Sequence, residues 1–136
     1  MKTNPPALRP TVWPLLLLFF TVLSRAQDTN PPVRFEPDVK IAMRDGVELT
    51  ANVWRPGAEG RYPVILMRSP YGKMDEKWDE GRRYAKAGYV MVVQDCRGRG
   101  KSAGVWDPFR YDVEDGFDTQ EWVGQQPWCN GDIGTA

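Results

Sequence analysis

Three groups of residues in this 136-residue sequence have types and spacings that could carry chemistry. Gly100-Lys101-Ser102, inside "QDCRGRGKSAG", spells the last three letters of a nucleotide-binding loop. Ser69, Ser102, Cys96 and Cys129 offer nucleophilic oxygen or sulfur. Asp112, Glu114, Asp115 and Asp118 form an acidic run of the kind that holds calcium.

Each group meets an obstacle. A phosphate-binding loop needs G-x-x-x-x-G-K-S/T, with a helix starting at the last residue so that backbone N–H groups face the phosphates. Its first Gly should stand at position 95, where this chain has Asp95, a carboxylate in the path of phosphate oxygens, and "AGVWDP" downstream stops any helix. For calcium, aligning Gly116 with the sixth position of an EF-hand loop puts Tyr111 at the first, where Asp is required. The acidic run is therefore expected to be a solvated helix face. The sequence contains no His, so neither serine nor thiol has an imidazole to take its proton. No metal or cofactor site is expected. The loop Gln94–Gly104 reads instead as a turn at the C-terminal end of a parallel strand. Gly98, Gly100 and Gly104 permit its bends, and Asp95 is expected to pair with Arg97 or Arg99. In open α/β sheets, ligands bind along that edge.

The elements that must position this loop follow from periodicity. Alternating residues flank Asp45-Gly46, with Ile41 and Met43 before it and Val47, Leu49, Ala51 and Val53 after, a hairpin signature. Val64–Met67 and Tyr89–Gln94 are continuous apolar runs, read as strands buried on both faces. Between them Met74, Trp78, Gly81 and Ala85 recur at helical spacing, with Gly88 as the stop. "YDVEDGFDTQEWVGQQ" reads as a second helix carrying Val113, Phe117, Trp122 and Val123, and Asn130-Gly131 turns into a last strand. The class implied is α/β: an antiparallel hairpin, then parallel strands joined by crossover helices. Such a unit, cut as its last strand begins, cannot cover both faces of its sheet, so the sequence is expected to be the N-terminal piece of a longer protein.

Three segments are expected: a signal peptide over 1–26, an extended Pro-rich lead-in over 27–37, and part of one domain over 38–136. Lys2 and Arg9 precede an apolar run from Leu15 to Leu23, and Ser24 and Ala26 have the spacing of a small-residue cleavage site. About nine apolar residues fall short of the roughly 20 that span a bilayer, so a secreted or periplasmic protein without a membrane anchor is expected. Cleavage removes Lys2, Arg9 and Arg25 from 18 basic residues and none from 18 acidic ones, leaving 15 against 18. That balance gives no electrostatic footprint for nucleic acid. Cys96 leaves one strand and Cys129 precedes another, so parallel strands would hold the thiols about a strand length apart, ~15 Å, and unpaired.

Four stretches, "RDGVELTANVWRP", "YPVILMRSPYGK", "AGYVMVVQDCRGRGKSAGVWDPF" and "EDGFDTQEWVGQQPWCNGDIGT", occur in the order and spacing of a known family. Together they resemble the N-terminal part of the cocaine-esterase and Xaa-Pro dipeptidyl-peptidase type serine hydrolases, over most of Phe35 to Thr135. The resemblance implies an α/β-hydrolase fold, an ester, amide or peptide substrate, and a Ser on a nucleophile elbow after the fifth strand, just beyond "GDIGTA". Nucleophile, acid and base would then all lie past residue 136. One functional position carries over: Tyr71, of the "PY" after the third strand, as a hydroxyl donor to the oxyanion hole. A phenol stays protonated at neutral pH and can donate to a developing alkoxide. By residue type alone, Tyr71 reads as packing a turn after Pro70. Trp106 reads equally as lining a site or anchoring its loop. The alternative to an enzyme is a non-catalytic hydrolase-like remnant or binding module.

Overall fold

The structure is a computed structural model and describes Met1 and residues 32–136. The expected signal peptide and the first part of the lead-in lie outside the described residues. The rest of the lead-in is not separate from the domain: β1 runs Val33–Ala42 and pairs antiparallel with β2, Glu48–Pro56, around a turn closed by Gly46 N–H to Met43 O at 2.9 Å. The pairing slips between Glu36 and Val39, where Pro37 has no N–H to give and Asp38 adopts φ 54°. The Asp38 N–H donates instead to Asn52 Oδ1 at 2.9 Å, and the bulge turns the Asp38 carboxylate away from the ladder.

Three parallel strands follow: β3 Tyr62–Ser69, β4 Val90–Asp95 and β5 Cys129–Thr135. The sheet order is β1-β2-β4-β3-β5, with β2 and β4 antiparallel. All six residues of β4 are buried, as its unbroken apolar run predicts. Val90 and Val92 face one core with Leu49, Ala51, Val53, Leu66 and Val123. Met91 and Val93 face the other with Trp54 and Ala85. Each of these larger apolar side chains contributes about 1.5–3 kcal/mol by leaving water. On β3 Val64, Leu66 and Ser69 are buried, whereas Ile65 and Met67, on the α1 side, remain partly open.

Both helices differ from their sequence reading. α1 covers Asp79–Lys86 only. Ahead of it, Asn52 Nδ2 donates to Met74 O at 2.6 Å and Trp54 Nε1 to Glu76 O at 3.4 Å. Side chains of β2 thus capture the carbonyls that a longer helix would use, and 74–78 lies against the sheet as a loop. α1 approaches so closely at Gly81 that a Cβ there would lie 2.9 Å from the Trp54 ring. α2 spans Asp112–Gly124, but Val113 and Phe117 point to solvent, 78% and 56% exposed. Its inward face is Asp115, Thr119 and Val123, at i, i+4 and i+8.

Candidate active site

β3 and β4 end side by side, with Ser69 opposite Asp95 and Cys96 N–H donating to Ser69 O at 3.0 Å. The loops after both strands therefore rise from one edge of the sheet. Tyr71 is two residues beyond β3, 92% exposed, with its own N–H on Ser69 Oγ at 3.1 Å. Its hydroxyl makes no hydrogen bond to any described residue. Beside it opens a depression of about 710 Å³ floored by Lys73, Met74, Asp75 and Trp78.

Asp95, 1% exposed, ties the two loops together. Its Oδ1 accepts the Lys73 N–H at 2.5 Å, and its Oδ2 accepts the Lys101 N–H at 3.0 Å and meets Lys73 Nζ at 3.1 Å. The expected pairing with Arg97 or Arg99 is not formed: Asp95 lies on the α1 side of the sheet, whereas Arg97 turns toward α2. Lys73 Nζ also reaches Asp38 Oδ1 at 2.9 Å, and Lys101 Nζ reaches Asp38 Oδ2 at 2.5 Å. Burial works most strongly against the Lys73 charge, yet the Asp38 and Asp95 carboxylates outweigh it and hold its pKa above the ordinary lysine value. Hydrogen bonds from Lys101 and Lys73 hold the Asp38 carboxyl below its usual range. The phosphate-loop letters thus sit in a loop that does embrace an anion, and that anion is the chain's own carboxylate.

Arg97, 8% exposed, forms the second hub. It donates through Nε to Asp115 Oδ2 at 3.0 Å and through Nη2 to Asp115 Oδ1 at 2.5 Å. On its other side Nη1 meets Asp45 Oδ2 at 2.7 Å, and the guanidinium lies 4.7 Å from the Tyr111 ring centroid. The acidic run is therefore not a solvated face. Asp115 is 1% exposed, and Asp118 is gripped by Arg44 at 2.6 Å. A charge pair with good hydrogen bonds can be buried where a lone carboxylate could not, and this reverses the inward face of α2. Next to it Gln94 bonds Thr119 and accepts from Arg68 Nε at 2.9 Å, while Thr119 Oγ1 donates to Asp115 O at 2.6 Å.

Neither serine is presented for attack. Ser69 is 7% exposed, and its Oγ accepts the Tyr71 N–H. By its letters Gly100-Lys101-Ser102-Ala103-Gly104 is itself a G-x-S-x-G, so spelling alone does not dismiss Ser102. Its Oγ, however, donates to Asp95 O at 2.8 Å and accepts the Thr50 N–H at 2.9 Å, and no helix follows it, so the hydroxyl is not presented as on an elbow. Trp106, 36% exposed, has Arg99 5.5 Å from its ring centroid, and its backbone passes so close to Gly98 that a Cβ there would lie 2.2 Å from the Trp106 N. Asp38, Thr50 and Lys73 went unmarked at the sequence level, and Lys101 entered there only as a letter of the rejected nucleotide-binding loop. The only hint was Asp38 beside Pro37, a bulge signal inside an otherwise alternating strand.

A mixed sheet in which β4, β3 and β5 run parallel, with a helix on each face and the loops after β3 and β4 at the C-terminal edge, defines an α/β fold of the kind that binds ligands along that edge. Residues 45–136 match the X-Pro dipeptidyl-peptidase (S15 family), and the chain belongs to that family. It is 39% identical over 105 residues to a cocaine esterase from Rhodococcus sp. (strain MB1 Bresler), covering 71% of this chain and 18% of that protein. A CocE/NonD family hydrolase from Staphylococcus aureus superposes with a TM-score of 0.67 at 31% identity, over 74% of this chain and 22% of the other. An alpha-amino acid ester hydrolase, at 24% identity and a TM-score of 0.64, shares the fold over 91% of this chain and 24% of its own. This chain thus spans about a fifth of the length of the relatives it matches.

Proposed function

We propose that this chain is the N-terminal segment of an exported serine hydrolase that cleaves ester or amide bonds through an acyl-enzyme, with an Xaa-Pro dipeptide linkage among the candidates. Tyr71 is its contribution to the reaction: the phenol donates to the oxyanion alongside a backbone N–H next to the nucleophile. The observation that carries this reading is the Tyr71 hydroxyl itself, 92% exposed at the C-terminal edge, beside an open depression and unspent on any described residue. A structural tyrosine would pack its ring or bond its hydroxyl. Removing one oxyanion donor costs roughly 10²–10³ in rate. Export is supported by Lys2, Arg9, the run Leu15–Leu23 and the Ser24/Ala26 spacing, with cleavage after Ala26.

The segment alone is inactive in this reading, because the chain has no His and no serine on an elbow after β5. Purified, it is expected to hydrolyse 4-nitrophenyl acetate no faster than its Tyr71→Phe form, and a clear excess over that control overturns the assignment. In the complete protein a fluorophosphonate probe is expected to label one serine, and absence of labelling counts against a serine nucleophile. The second reading is a non-catalytic remnant or binding module. The DNA following codon 136 separates the two: an open frame reaching an elbow, then Asp and His, supports the enzyme, and a stop codon supports the remnant.

A further inference from the structure

We propose that Asp95 is the positioning residue for Tyr71: its buried carboxylate fixes the loop after β3 and thereby fixes where the phenol hydroxyl points. This rests on the reading of Tyr71 as an oxyanion donor. The Tyr71 ring has almost no neighbours to orient it, so its direction is set by the backbone beneath. That backbone is tied on both sides. Before the ring, the Tyr71 N–H is held by Ser69 Oγ at 3.1 Å. After it, the Lys73 N–H is held by Asp95 Oδ1.

Asp95 also controls the remaining tie. Arg99 Nε donates to Pro70 O at 2.7 Å, and Arg99 belongs to the loop that Asp95 pins through the Lys101 N–H at 3.0 Å. The carboxylate is in turn fixed by Lys73 Nζ at 3.1 Å and by the Thr50 hydroxyl at 3.5 Å. Lys73 is steadied from β1 by Asp38, which the bulge at φ 54° aims toward it. A carboxylate accepting N–H bonds from both loops is therefore the joint on which the Tyr71 loop rests. Misplacing a reacting group by about 1 Å can cost on the order of 10²-fold in rate.

The test is a double-mutant cycle in the complete enzyme. Asp95→Asn keeps the volume but removes the charge facing Lys73 and turns an amide N–H toward a backbone N–H. It is expected to lower kcat by roughly 10- to 100-fold with KM within about threefold, because the oxyanion exists only along the reaction path. In a Tyr71→Phe background the same substitution is expected to cause almost no further loss. Equal losses with and without the Tyr71 hydroxyl overturn the proposal, since a general structural role does not depend on that oxygen. If Tyr71→Phe alone leaves kcat unchanged, the oxyanion reading is what fails, and amide hydrogen exchange at residues 71–73 decides on Asp95. Faster exchange in Asp95→Asn supports its hold on the loop, and unchanged exchange overturns it. Should Asp95→Asn fail to fold, Lys73→Met takes its place in the same cycle.

Discussion

Arg97 holds both oxygens of the Asp115 carboxylate, with 8% and 1% of the two residues exposed. This pair joins the loop after β4 to α2, and Asp45 on the opposite side extends it to the β1–β2 turn. Breaking a buried pair from one side typically costs about 3–5 kcal/mol, because a charge is left without its partner. Asp115→Asn is therefore expected to destabilise the fold by about 3 kcal/mol, the low end, since Asp45 still faces the guanidinium. Urea unfolding midpoints measure this, and a loss below about 1 kcal/mol would contradict the role assigned to the pair.

Gly100 and Asp95 make a second, steric prediction. Gly100 has φ 53°, and a Cβ there would stand 2.2 Å from Asp95 Oδ2. Gly46 has φ 83° with nothing within 4 Å of the same position. Gly46→Ala is expected to cost only the left-handed backbone penalty, about 1–2 kcal/mol. Gly100→Ala is expected to cost clearly more, because the carboxylate must leave the Lys101 N–H. Equal unfolding midpoints for the two variants would contradict the packing described.

The ion pairs set the direction of the pH dependence. Hydrogen bonds from Arg97 hold Asp45, and those from Arg44 hold Asp118, below the ordinary carboxylate value of 3.8, as Lys101 and Lys73 do for Asp38. Each of these groups binds its proton more weakly folded than unfolded. Their stabilisation is present above about pH 4 and is lost as pH falls through the folded values. Lys73 is shifted the other way, so its contribution holds below 10.5 and is lost as pH rises beyond it. Stability is expected to plateau between these limits and fall on the acid side. Asp118→Asn is expected to shallow the acid limb in denaturant midpoints taken from pH 2 to 6.

The sheet was legible because its signals are local. The Asp45-Gly46 turn, the unbroken run of β4 and the Gly88 stop each act within a few residues. The helices were less so, because partners far along the chain decide them. Asn52 and Trp54 unwind the start of the expected first helix. Arg97 makes Asp115 an inward residue, where apolar periodicity had assigned that role to Phe117. The site divides the same way. Tyr71 came from a resemblance between four stretches, whereas the Asp38, Lys73, Asp95 and Lys101 cluster joins residues up to 63 positions apart that no spacing rule links.

The two cysteines give a last prediction. Cys129 pairs in register with Tyr62 at the start of β3, whereas Cys96 follows Asp95, which pairs with Ser69 at its end. The seven residue steps from Tyr62 to Ser69 correspond to about 23 Å at 3.3 Å each, somewhat more than the strand length expected from sequence and far beyond the ~7 Å limit for a disulfide. Both thiols are free and buried, 6% and 0% exposed, and burial raises the Cys96 pKa, so little thiolate is available at neutral pH. An aromatic disulfide reagent is expected to titrate no thiol in the folded protein at pH 7 and two after denaturation, with no shift between reduced and oxidised samples on a gel. Rapid reaction of either thiol under native conditions would mean that the strand ends open far more readily than their burial implies.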